Sequence, residues 1–128
     1  TIRRCKAFAE AWGGSELIVV NRFGFRATDP TRLFDDDVAD PVGPLNDEAI
    51  LRAVDYCQAH GGLAVAAWGS PAASTRWRKR YLADRTAEIV GILEAKGRSL
   101  HALDLSKDGI PKHPLYLPAN LRPREWTP

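Results

Sequence analysis

A cation, an imidazole and a phenol fall close together in Ser106-Lys107-Asp108-Gly109-Ile110-Pro111-Lys112-His113-Pro114-Leu115-Tyr116-Leu117-Pro118, directly after an apolar run. The glycine and three prolines narrow the unfolded ensemble of this segment, so ordering it costs little entropy and a side chain on it can be held in place. His113 is the first-choice site residue. Its pKa moves easily across neutrality, so it can shuttle a proton or donate a hydrogen bond to a carbonyl or developing oxyanion. Lys107 and Arg26 are candidates for phosphate, Arg as a bidentate fork and Lys as a point charge. Asn21 can pair its amide with a base edge or position a water. Trp68, Gly69, Ser70 and Tyr116 complete the candidate substrate-facing set; Gly69 permits close backbone approach, and amides after Ser70 suit an anion if a helix begins there. The same residues also fit a plain turn at Asp108-Gly109 with His113 and the cations in water.

A second cluster, Arg76-Trp77-Arg78-Lys79-Arg80-Tyr81, with Arg85 beyond, interleaves cations with aromatics, as a groove that stacks bases and tracks phosphates would. Arg76, Arg78, Lys79 and Arg80 are its candidate nucleic-acid contacts. The competing reading is an exposed helix start with Trp77 and Tyr81 packed inward at i, i+4. Asp35-Asp36-Asp37 lacks the spacing and turn glycine of a calcium loop. Cys5 and Cys57 lack metal-ligand spacing and are expected as buried free thiols. No Walker, nucleophile-elbow or dinucleotide fingerprint is present, so no motif calls for a metal or a cofactor.

The elements that position these residues are read from periodicity. Ile2, Cys5, Phe8, Ala9 and Trp12 recur at helical spacing before Gly13-Gly14. Leu17-Ile18-Val19-Val20 is apolar without alternation, as a strand covered on both faces would be. Residues 22–45 read as loop, with Thr28-Asp29-Pro30 able to open a short helix. Asn46 is a plausible N-cap for a helix carrying Ile50, Leu51, Val54 and Cys57 and stopped by Gly61-Gly62. Leu63-Ala64-Val65-Ala66-Ala67-Trp68 is the second expected strand. A third helix fits residues 75–96, with Leu82, Ile89, Ile92 and Leu93 as its apolar stripe. Leu100-His101-Ala102-Leu103-Asp104-Leu105 is the third strand.

That order yields an α/β fold: a three-layer α/β/α arrangement with a short, mostly parallel sheet and helices on both faces. Ligands of such sheets bind beyond the carboxyl ends of the strands. The exits at Asn21, Trp68 and Ser106 are therefore expected to converge.

The chain has 128 residues, 45% hydrophobic and 27% charged, with a net charge of +2. This suits a single α/β domain over residues 1–128 and excludes disorder as the default. No apolar run approaches the roughly 20 residues a bilayer crossing needs, and no secretory signal opens the chain. The expectation is a soluble, cytoplasmic protein with no membrane partner. There is no Met, and Thr1 already lies inside a helical pattern, which reads as an N-terminally truncated chain.

The ordered set Thr1-Ile2-Arg3-Arg4-Cys5, Val19-Val20-Asn21-Arg22-Phe23, Arg26-Ala27-Thr28-Asp29-Pro30, Asp40-Pro41-Val42-Gly43-Pro44-Leu45-Asn46-Asp47, Ala67-Trp68-Gly69 and Lys107-Asp108-Gly109-Ile110-Pro111-Lys112-His113-Pro114-Leu115-Tyr116-Leu117 resembles a bacterial and phage family known as domain of unknown function sixteen forty-three. The resemblance implies a further strand and an Asn-Pro-Ser-Thr loop before the segment matching Thr1. It brings no established activity. More distantly, Asn21, Arg26, Gly69 and His113-Pro114 fall in the order of the motifs of the uracil-DNA glycosylase-like superfamily, with Leu115 where that pattern has Ser. This similarity implies that His113 contacts a flipped base and stabilises its developing anion, and that Leu115-Tyr116-Leu117 wedges into DNA.

Three functions follow as expectations. The first is an enzyme acting on a nucleobase, a nucleotide or the flipped base of single-stranded DNA, with His113 and Asn21 as catalytic residues. The second is a nucleic-acid-binding module without chemistry, and the third a structural or partner-binding domain.

Overall fold

The computed structural model describes residues 1–25, 29–70 and 75–128. Its helices are α1 (Ile2–Ala11), α2 (Asn46–Ala59) and α3 (Arg76–Ala95), and its strands are β1 (Val65–Ala66), β2 (Leu100–Ala102) and β3 (Arg124–Trp126). A 3₁₀ turn over Pro30–Phe34 is opened by Asp29, whose carboxylate accepts from Thr31 N at 3.0 Å. Thr28, expected to share in that start, lies outside the described residues.

The helices are local events, and their ends follow local chemistry. Each closes in one device, in which a glycine and the residue after it return their amides to the last turn: Gly13 and Gly14, Gly61 and Gly62, Gly97 and Arg98. These satisfy carbonyls that the helix would otherwise leave orphaned. Thr75 caps α3, its hydroxyl accepting from Arg78 N at 3.3 Å. Asn46 is not the N-cap of α2; it is the first helical residue, after Leu45. Its amide is committed elsewhere, donating to the carbonyls of Asn21 at 2.9 Å and Arg22 at 3.0 Å.

β1 pairs in parallel with β2, and β2 pairs antiparallel with β3. The sheet is mixed and short. The expected strands at 63–68 and 100–105 shrink to Val65–Ala66 and Leu100–Ala102. In the latter case Asp104 and Leu105 turn away into an isolated bridge between Leu105 and Pro111.

The expected first strand is absent. Residues 17–20 are 38–50% exposed, and no backbone hydrogen bond reaches them among the described residues. They are held from their ends instead: Tyr56 Oη donates to the Glu16 carboxylate at 2.9 Å, and Asn46 grips the carbonyls beyond. An apolar run lying along α2 without a sheet neighbour stays half exposed, because its backbone has no ladder to join.

The core is three linked clusters. Ile50 and Val54 of α2 meet Ile89 and Leu93 of α3. Val90 joins Ala66, Ala102 and Trp126 on the sheet. Phe8 of α1 packs with Leu103 and Leu117, with Val65 against them. The α3 stripe is as expected at Leu82, Ile89 and Leu93, all buried. Cys5 and Cys57 are free but only partly buried. Among the described residues, no helix is long and apolar enough to cross a membrane.

Leu93 is about 1% exposed and Val19 50%, which separates their roles energetically. Leu93→Ala is expected to destabilise the chain by about 2–5 kcal/mol in urea unfolding, and Val19→Ser by less than about 0.5 kcal/mol. Similar losses at both positions would mean that residues 17–20 are covered in solution.

Candidate functional site

The site is built where β1 ends. After Ala66 the chain passes through Trp68 to Gly69, which is buried with φ +72° and donates to Pro111 O at 2.9 Å. A Cβ at position 69 would lie 3.1 Å from His113 Cβ. Glycine is required here twice over, by the left-handed backbone and by the close approach. The close approach to His113 is a tertiary fact linking two strand exits.

His113 is carried by a stiff loop. Ser106 N donates to Ile110 O at 2.9 Å, Lys112 N to Asp104 O at 2.8 Å, and Ile110 N to the Ser106 hydroxyl at 3.2 Å. Lys112 Nζ pairs with Asp104 at 2.9 Å. This bond, with the Leu105 amide, holds the Asp104 carboxyl below the usual carboxylate range, so it is ionised at neutral pH. Pro111 and Pro114 are buried on either side of an exposed His113. The His113 Nδ1 accepts from Leu115 N at 3.2 Å. In the neutral ring the proton is therefore on Nε2, leaving a free donor on an exposed edge.

Arg22 lies against Trp68, the residue before Gly69. Its guanidinium lies 5.1 Å from the Trp68 ring centroid and 5.8 Å from that of Phe23, and its Nη1 donates to the Thr86 hydroxyl at 3.2 Å. Its carbonyl accepts from Arg85 Nε at 2.7 Å. Arg85 is 3% exposed, and it pairs with Glu88 at 3.1 Å. Its Nη2 also lies 2.6 Å from Asp47 Oδ1, an ion pair whose angle falls outside hydrogen-bond geometry. Arg22 thus lies on the Trp68 ring, and Gly69, the next residue, meets His113 through its backbone.

The other expected residues are distributed unevenly. Asn21, next to Arg22 in sequence, is exposed, its carbonyl held by Asn46. Ser70 is exposed and ends the described stretch; the amides expected to follow it, at 71–74, and Arg26 lie outside the described residues. Lys107 is exposed at the loop tip. Tyr116 is 92% exposed with φ 69°, an unusual conformation for a bulky residue. Leu117, named with it as a wedge, is corrected by the structure: it is buried with Phe8 and Leu103, and its carbonyl accepts from Arg4.

On α3, Arg76, Lys79 and Arg80 are exposed and Arg78 lies partly buried 4.8 Å from the Phe34 ring centroid and 5.7 Å from that of Trp77. None of the four forms an ion pair among the described residues. Tyr81 packs inward on Phe23 and Phe34, and Trp77 meets Phe34 edge-on at 5.5 Å while staying 55% exposed, so the inward-packing reading holds for Tyr81 and only in part for Trp77.

Residues 1–115 match the family model described as "Protein of unknown function (DUF1643)". The chain belongs to the DUF1643 family. No curated protein and no solved structure matches it. The family match covers every residue from Arg22 to His113 and ends just before Tyr116.

Sequence reasoning missed Arg22 and set Arg85 with the phosphate-tracking cations of α3, a placement the structure corrects by burying Arg85 to 3% exposure beside Asp47 and Glu88. Arg22 stands next to Asn21 at the strand exit, and that adjacency was its only local signal. Gly69→Ala is expected to cost about 1–2 kcal/mol for the left-handed backbone, and also to shift the His113 ring resonances in NMR spectra. Gly97→Ala, at φ +67° with nothing within 4 Å, should show the backbone cost alone. A His113 signal indifferent to Gly69→Ala would contradict the contact.

Proposed function

We propose that this DUF1643 domain acts on a nucleobase or nucleotide at the carboxyl edge of its sheet, in the manner of a glycosylase, with His113 as the group that stabilises charge. The observation that carries the reading is the seating of His113 on Gly69 with Nε2 free to donate. In the proposed reaction the bond from base nitrogen to sugar C1′ breaks, and its electron pair passes to the base. His113 Nε2–H donates to the base oxygen on which the negative charge develops, and water adds to C1′, its hydroxyl staying on the sugar and its proton ending on the released base. Asn21 reads the base edge, and Trp68 and Tyr116 offer rings for stacking. Lys107 and Arg26 are the cations the reading assigns to phosphate.

The reading includes a three-layer α/β/α arrangement of the uracil-DNA glycosylase-like type. Its support is the alternation of Val65 toward Phe8 of α1 and Ala66 toward Val90 of α3. It also includes a preceding strand and polar loop, with that strand lying between residues 17–20 and β1 and the loop positioning the water. The support is the half-exposed apolar run, which has no backbone partner among the described residues.

A second reading, a nucleic-acid-binding module without chemistry, is favoured by the first turn of α3. Arg76, Arg78, Lys79 and Arg80 crowd the positive end of a helix dipole with no acid in that turn, an arrangement that a polyanion relieves.

One pair of measurements separates them. His113→Ala is expected to lower base release from uracil-containing single-stranded DNA by about 10²–10³-fold, while the Kd for that DNA, read by anisotropy, changes less than tenfold. Binding that falls steeply with salt and survives the substitution, with no base released by the unsubstituted protein, would replace the enzyme reading with the second one.

A further inference from the structure

Arg22 is a partly buried cation without a counter-charge. It forms no ion pair among the described residues, and the seven other residues, Arg26, Ala27, Thr28, Pro71, Ala72, Ala73 and Ser74, include neither Asp nor Glu. The charge that acts on it, Arg85, is of the same sign. Arg85 has carboxylates at Asp47 and Glu88; Arg22 has only the hydroxyl of Thr86 at 3.2 Å and the faces of Trp68 and Phe23. Burial and the repulsion of Arg85 push its pKa down to about 10.

The sign of this shift is informative. A cation whose folded pKa is depressed detracts from stability at every pH below that value, and the cost is relieved only as pH rises through about 10. At neutral pH the guanidinium stays charged. An arrangement that keeps an unpaired charge half out of water, one residue beyond the exposed Asn21, is what an anion site looks like before its ligand arrives. Arg has the planar fork that matches a phosphoryl group, and the Trp68 ring beneath fixes its plane.

We infer that Arg22, set by Thr86 and Trp68 and backed by Arg85, is a binding site for a phosphoryl group, carried by a nucleotide or free in solution. The inference rests on the nucleotide reading for which phosphate is bound, but not for whether one is. It moves the phosphate anchor to Arg22 from Lys107, which sits exposed at a loop tip. Arg85 acts through Arg22 as a positioning residue: its Nε fixes the Arg22 carbonyl.

The test is a titration of inorganic phosphate at constant ionic strength, so that general screening is unchanged, read by calorimetry and by thermal melting. The unsubstituted chain and His113→Ala are expected to bind phosphate with the same Kd. Arg22→Met should bind at least tenfold more weakly yet melt, without ligand, at or above the parent temperature, since a thioether on Trp68 replaces an unpaired charge. Arg22→Lys, which keeps the charge but not the fork, should lose at least threefold, and serves if the Met variant does not fold. No phosphate binding by the parent chain, or an unchanged Kd in whichever Arg22 variant folds, would overturn the site. Uridine 5′-monophosphate separates the sources. Binding at least tenfold tighter than phosphate makes the ligand a nucleotide; equal binding keeps the phosphoryl site and counts against the nucleotide reading alone, whose own failure is read separately in base release by His113→Ala.

Discussion

The buried guanidinium of Arg85 is the interaction on which the edge of this structure depends. At 3% exposure a charge is tolerated only when it is partnered, and Arg85 has partners in three directions, two by hydrogen bond and Asp47 by ion pair alone. Asp47 brings in the first turn of α2, Glu88 stays on α3, and the carbonyl of Arg22 ties down the chain leaving residues 17–20. Asn46 repeats the last contact from α2. A segment with no partner strand among the described residues is thereby held to two helices at its exit, and Arg22 can lie over Trp68.

The other half of the edge is fixed by different means. The loop from Asp104 to His113 is closed by its own backbone and by one ion pair, then docked on β1 through the Gly69 to Pro111 hydrogen bond. Beyond it, α1 holds the chain: Arg4 donates to Leu117 O and Trp12 Nε1 to Leu121 O at 3.1 Å. Two clamps, one electrostatic on Arg22 and one largely backbone on His113, converge on Trp68 and Gly69. Neither needs a long strand, which is how a sheet this short can still position side chains.

What could be read in the sequence divides along the same line. The three helices were legible because their caps and stripes are local: Thr75, Gly97 and the spacing of Leu82, Ile89 and Leu93 carry the information in place. The convergence of Trp68, Gly69 and His113 was legible from the rule that sites gather at strand exits. Residues 17–20 misled, because an apolar β-branched run reports propensity and not whether a neighbour is there to pair with. β3 was invisible, since Arg124, Glu125 and Trp126 sit between prolines and become a strand only against Leu100–Ala102. Arg22 escaped for a related reason: an arginine in sequence is assigned to solvent, and its burial against Trp68, Thr86 and Arg85 is set by residues 46 to 64 positions away.

The proposed function requires that Arg22, Trp68, Gly69 and His113 meet a single ligand together. The most direct measurement follows the Arg22 Nε–H, the Trp68 indole N–H, the Gly69 amide and the His113 ring by NMR while 2′-deoxyuridine 5′-monophosphate is added. All four signals are expected to move along one binding curve. Shifts confined to the first turn of α3, or no shift at saturating nucleotide, would contradict the proposed function.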